Sequence, residues 1–143
     1  MFTNTTKYLF FLSVILMGSM VQGYGQDLKC IDFKEGTFSI PGEKGAGNAL
    51  EVIRQENTQM EFKDGIESGE PQFVNLEWID DCTYRMTYEE ADAETDEQKR
   101  FINDNDGILV EKIKIEGNCM TYKATLTTLE GEEITQEGKI CKE

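Results

Sequence analysis

Alternation at period two, broken at short intervals by turn residues, is the feature that most limits what this chain can become. Val74, Leu76 and Trp78 share one phase, while Asn75 and Glu77 share the other. Tyr84, Met86 and Tyr88 repeat the pattern against Arg85 and Thr87, and Met120, Tyr122, Ala124 and Leu126 repeat it again. Successive side chains of a strand point to opposite faces, so each run reads as a strand with one apolar face. Turn signals separate the runs: Pro41-Gly42, Glu56-Asn57, Asp64-Gly65, Asp80-Asp81, Asn103-Asp104-Asn105-Asp106-Gly107, Glu116-Gly117-Asn118 and Glu130-Gly131-Glu132.

Residues 36–40, 49–55, 58–63, 108–115 and 134–141 complete a set of eight short strands in sequential order. Ile108 and Val110 are out of phase with Ile113 and Ile115, which places a bulge near Glu111-Lys112. Thr95 is positioned to cap one short helix over residues 96–102. The expected fold is all-β: an antiparallel meander of about eight strands forming a small lipocalin-like barrel or a sandwich. Closure would remove the exposed edges of the meander.

Ahead of this region lies a different kind of sequence. Residues 1–7 hold Lys7 and no acid, and residues 8–21 form an almost unbroken apolar run. The run is too short for a membrane span, which takes about 20 residues of helix. It matches the apolar region of a secretory signal, with the small residues Gly23 and Gly25 at the positions a signal peptidase reads. The expected organisation is a signal peptide over residues 1–25 and a single β domain over residues 26–143, exported to the periplasm or the medium, with no membrane span.

Export changes how the cysteines read. Cys30, Cys82, Cys119 and Cys141 all follow the signal, and an even count in an exported domain indicates disulfides. Three pairings are open to four cysteines. Cys119 opens one expected strand and Cys141 closes a later one, so antiparallel neighbours would bring them together and leave Cys30 for Cys82. A four-thiolate zinc site wants its cysteines in close pairs, and these are scattered.

Charge and composition narrow the function. The formal net charge is −14, which repels nucleic acid phosphate, and no basic stripe interrupts it. The chain has no histidine, the commonest general base and transition-metal ligand. The glycine-rich residues 41–48 match neither a P-loop nor a dinucleotide fingerprint and read as a hairpin loop. Setting Gly107 at the sixth position of a calcium loop puts Ile102 and Ile113 where oxygen ligands are needed, so Asn103 to Gly107 reads as a turn. Residues 89–97 carry six acids in nine positions and read as a solvated loop rather than a facing pair of catalytic carboxyls. Trp78 and the tyrosines are in phase with aliphatic neighbours and read as core. No catalytic, cofactor or metal residue is assigned.

One constellation is more distinctive. Cys30-Ile31-Asp32-Phe33-Lys34-Glu35-Gly36-Thr37-Phe38 comes first, then Ile53-Arg54, Gln59-Met60-Glu61, and Trp78-Ile79-Asp80-Asp81-Cys82-Thr83-Tyr84. Together these resemble a family of small, uncharacterised exported proteins and lipoproteins of Bacteroidetes such as the flavobacteria. Some members carry an automatic DNA topoisomerase IV label, which an exported, acidic chain of this size does not support. The resemblance spans roughly residues 30–88 and implies a Cys30–Cys82 bond; it brings no activity with it. The expected function is that of a monomeric, non-enzymatic exported binding domain, holding a small molecule or peptide in a barrel mouth. The alternative is an envelope protein that binds another protein.

Overall fold

The computed structural model describes residues 27–42, 50–67 and 69–143. The expected signal peptide and most of the glycine-rich loop lie outside these residues. Eight antiparallel strands run in sequential order and close into a barrel: β1 (Gly36–Ile40), β2 (Leu50–Gln55), β3 (Thr58–Phe62), β4 (Gln72–Trp78), β5 (Thr83–Tyr88), β6 (Ile108–Glu116), β7 (Cys119–Thr127) and β8 (Glu133–Lys142). Of the two architectures open to the sequence, the barrel is realised. A short 3-10 helix, Cys30–Phe33, precedes β1.

The period-two pattern decides which residues enter the barrel. Phe38, Val52, Val74, Leu76, Tyr84, Val110, Met120 and Ile140 point inward and are almost fully buried. Phe33 joins them from the 3-10 helix, with its ring 5.9 Å from that of Phe38. The phase change in β6 is absorbed where pairing with β7 shifts between Lys112 and Lys114. At the β5–β6 connection Gly107 has φ +78°, and a Cβ there would collide with the Met86 carbonyl and the Thr87 side chain. Only glycine meets both demands.

The acidic run departs from its expected solvated loop. It contains a helix, α1 (Glu90–Thr95), followed by α2 (Glu97–Asp104). Acids in a first turn suit the positive end of a helix, and α1 carries Glu90 and Asp92 there. The cap of α2 is Asp96 rather than Thr95: its Oδ1 accepts from the Gln98 and Lys99 amides at 2.9 and 3.2 Å. Asn103 then fastens α2 to the end of β5, exchanging two 2.9 Å hydrogen bonds with the Tyr88 backbone. The side chain of Asn105 accepts from the Leu129 amide and donates to the Phe101 carbonyl. The asparagines of the calcium-like motif thus serve as structural ties.

The barrel has two unlike ends. At the disulfide end, Cys30–Cys82 pins the 3-10 helix to the β4–β5 connection, and Cys119–Cys141 joins directly opposed residues of β7 and β8. Lys142 Nζ donates to the Asp32 and Glu35 carbonyls at 2.6 and 3.1 Å, so the last strand also holds the segment that closes this end. The helix end is looser. β8 pairs with β1 only through Phe38↔Lys142 and Ser39↔Cys141. From residue 140 back to 133, β8 has no strand partner on that side among the described residues. Ile134 lies opposite Leu126 on the inward face, yet it is 53% exposed.

Candidate functional site

The most unusual chemistry lies inside the barrel. Arg54 faces inward from β2 and is only 2% exposed. Its Nε donates to Gln59 Oε1 at 2.8 Å, Nη1 to the Phe33 carbonyl at 2.8 Å and Nη2 to the Tyr84 hydroxyl at 2.7 Å. The guanidinium carbon is 4.7 Å from the Tyr84 ring centre, 5.4 Å from that of Phe38 and 5.8 Å from that of Trp78. Among the described residues no carboxylate pairs with it directly; neutral acceptors and ring faces hold the charge. Charge-assisted hydrogen bonds and aromatic faces are what a desolvated guanidinium requires.

Local sequence puts these groups together. Arg54 and Gln59 are opposed across the β2–β3 hairpin, and Trp78 and Tyr84 are opposed across the β4–β5 hairpin. The Trp78 and Tyr84 rings lie 4.7 Å apart. The 3-10 helix supplies the Phe33 carbonyl from below. Residues 30–38, 53–54, 59–61 and 78–84 therefore meet at Arg54, through Phe33, Arg54 itself, Gln59 and Tyr84.

The network continues toward the helix end. Gln59 Nε2 donates to Glu61 Oε1 at 2.7 Å. Glu61 lies opposite Val52 and Gln72 on the inward face. Burial raises its carboxyl above the usual carboxylate range, against the Gln59 hydrogen bond and the positive charges of Arg54, Lys63 and Lys99. The Tyr88 phenol is also raised, first by burial and then by the Glu61 charge. Tyr122 is pushed up to about 12, mainly by burial, with Tyr84 adding to the effect. Its ring lies against Gly138 on the facing strand, where a Cβ would run into it.

Beyond Glu61 the wall opens into a cleft of about 410 Å³, bordered by Glu61, Lys63, Asp64, Glu70, Gln72, Asp92 and Lys99. The Lys99 ammonium lies 5.4 Å from the Tyr88 ring centre and 3.5 Å from Asp92 Oδ2. A second cleft, of about 520 Å³, lies outside the disulfide end beside Leu28, Ile31 and Cys82.

No family model, curated protein or solved structure matches the chain.

The residues singled out from sequence occupy the closed end. All four cysteines are paired there, and such bonds are typical of exported proteins. Among the described residues no helix is long and apolar enough to cross a membrane. Trp78 faces inward, half-buried, between Lys34 and Tyr84, and its indole Nε1 is buried without a partner among the described residues. Arg54, Gln59 and Glu61 were not legible as a site. Their signal was the phase itself: Arg54 continues the inward phase of Val52, and Gln59 and Glu61 stand opposite that pair.

Proposed function

We propose that this chain is an exported, non-enzymatic binding domain that takes a small molecule into the helix-end mouth of its barrel. It would act as a monomer in the periplasm or the surrounding medium. The observation that carries this reading is the asymmetry of the barrel. Two disulfides, the 3-10 helix and the Arg54 network close one end and fill the lower interior. At the other end inward-facing positions such as Ile40, Leu50, Tyr88 and Ile108 are only half-buried, and Ile134 is exposed. A rigid floor beneath a partly open, largely apolar wall is the arrangement by which small barrels hold ligands.

The test is native mass spectrometry of the protein purified from its own source. A retained small molecule, released on unfolding, supports the reading. A bare chain co-purifying with a stoichiometric protein partner favours the second reading, an envelope interaction protein. The observation behind that alternative is the outer cleft at the disulfide end, where Ile31 is 58% exposed.

A further inference from the structure

We infer that the mouth selects ligands carrying an ammonium group, with the Glu61 carboxylate as their anchor. This rests on the reading of the mouth as a binding site and adds the chemical class of the ligand. Glu61 sits where the filled lower interior gives way to the open cleft. One oxygen, Oε1, is held by Gln59. Among the described residues no hydrogen-bond donor engages Oε2, and no cation reaches an ion-pair distance from the carboxylate. The group is thus held by one oxygen, with the other available to a ligand in the cleft.

Three further observations point to a monovalent cation. The segments bordering the cleft are acidic on balance: Asp64, Glu67 and Glu70 stand on the β3–β4 connection and Glu90, Asp92 and Glu94 on α1, against the two cleft lysines Lys63 and Lys99. Such a rim attracts cations and repels carboxylates and phosphates. A divalent metal is a poor fit, because among the described residues no three acidic, cysteine or histidine side chains converge on one point. The chain also shows how an ammonium is accommodated here, since Lys99 sits over the Tyr88 ring beside Asp92. The half-buried Ile40, Leu50 and Ile108 do not border this cleft; they pack on the core at the same end of the barrel, and a short apolar tail on the ligand would have to reach them.

The test is isothermal titration calorimetry with n-octylammonium, n-octanol and octanoate, on the wild-type protein and Glu61→Gln. The expected result is that wild type binds octylammonium roughly tenfold or more tightly than octanol, the size of one charge-assisted hydrogen bond. Glu61→Gln should lose that preference, its octylammonium affinity falling to about its octanol affinity. Equal binding of octylammonium and octanol by wild type, or preference for octanoate, overturns the ammonium assignment and leaves the mouth reading intact. An ammonium preference that survives in Glu61→Gln assigns it to surface acids and also overturns the proposal. If none of the three probes binds, the mouth reading itself falls. Should Glu61→Gln fail to fold, the same titrations on Glu61→Asp, whose shorter carboxylate should weaken only octylammonium, take its place; unchanged preference there counts against the anchor.

Discussion

Arg54 and Glu61 share one amide. Gln59 accepts from the Arg54 guanidinium through Oε1 and donates to the Glu61 carboxylate through Nε2, so the two charges are joined without touching. The arrangement divides the work. Arg54 is spent on closing the floor, where its other two hydrogen bonds go to Phe33 and Tyr84. Glu61, one residue pair nearer the mouth, keeps an oxygen for something else.

Removing Arg54 should be costly. Arg54→Met keeps length and apolar bulk but strips the Phe33 carbonyl, Gln59 and Tyr84 of their donor and leaves Glu61 without its nearest compensating charge. Loss of one partner from a buried charged network typically destabilises by about 3–5 kcal/mol. Equilibrium urea unfolding of wild type and variant measures it. A loss below about 1 kcal/mol, the worth of an ordinary neutral hydrogen bond, would mean the network is not what holds the floor.

Glu61 should act in the opposite sense. Its folded-state carboxyl is raised above 4.5 by burial, so folding favours the neutral acid. That contribution is whole below the unfolded value and is lost as pH rises through the folded value. Glu61→Gln, neutral at every pH, is therefore expected to be more stable than wild type at neutral pH. The advantage should shrink as pH falls through the raised folded value and be gone below 4.5. Thermal unfolding of both proteins across that range checks the sign.

Much of this fold was legible in the sequence, and the reason is physical. A barrel wall has period two, so the phases of Val74-Leu76-Trp78 and Tyr84-Met86-Tyr88 report their faces directly. The out-of-phase isoleucines of β6 reported the irregularity at Lys112 in the same way. Two things were hidden. The 3-10 helix is a single turn, too short for periodicity to mark, and α1 is made of residues whose composition reads as solvent. The site was obscured for a different reason. Arg54, Gln59 and Glu61 are polar residues in inward phase, and a polar residue there blurs the alternation instead of announcing a network. Only the pairing of β2 with β3, and the Phe33 carbonyl brought in from outside the sheet, shows that they belong together.

Tyr122 gives a spectroscopic signature of the packed interior. Its phenol is pushed up to about 12 against an ordinary 10.0. Ultraviolet titration should therefore show the Tyr122 phenol ionising late, after the Tyr88 phenol that burial also raises. The stability it contributes is whole below pH 10.0 and is lost as pH climbs toward 12. Tyr122→Phe should remove that latest ionisation; if it persists in the variant, the assignment is wrong.

Gly138 should tolerate no side chain. A methyl group there meets the Tyr122 ring, so Gly138→Ala is expected to destabilise the barrel by about 1–3 kcal/mol through overpacking. The double variant Gly138→Ala/Tyr122→Leu should recover part of the loss. Chemical denaturation of the three proteins measures the coupling.

The two disulfides should differ in weight. In the chain-entropy description, opening the Cys30–Cys82 loop costs about 4 kcal/mol and opening the shorter Cys119–Cys141 loop about 3 kcal/mol. Cys30→Ala/Cys82→Ala should also release the 3-10 helix, seen as faster amide hydrogen exchange at Asp32 and Lys34.

The helix end of the barrel is the proposed binding end. This is tested most directly by titrating the isotopically labelled protein with n-octylammonium and following backbone amide shifts by nuclear magnetic resonance. Shifts are expected to concentrate at Leu50, Glu61, Gln72, Tyr88 and Ile134, with Phe33, Cys82 and Cys119 unmoved. Shifts confined to the disulfide end, or no saturable shift anywhere, would contradict it.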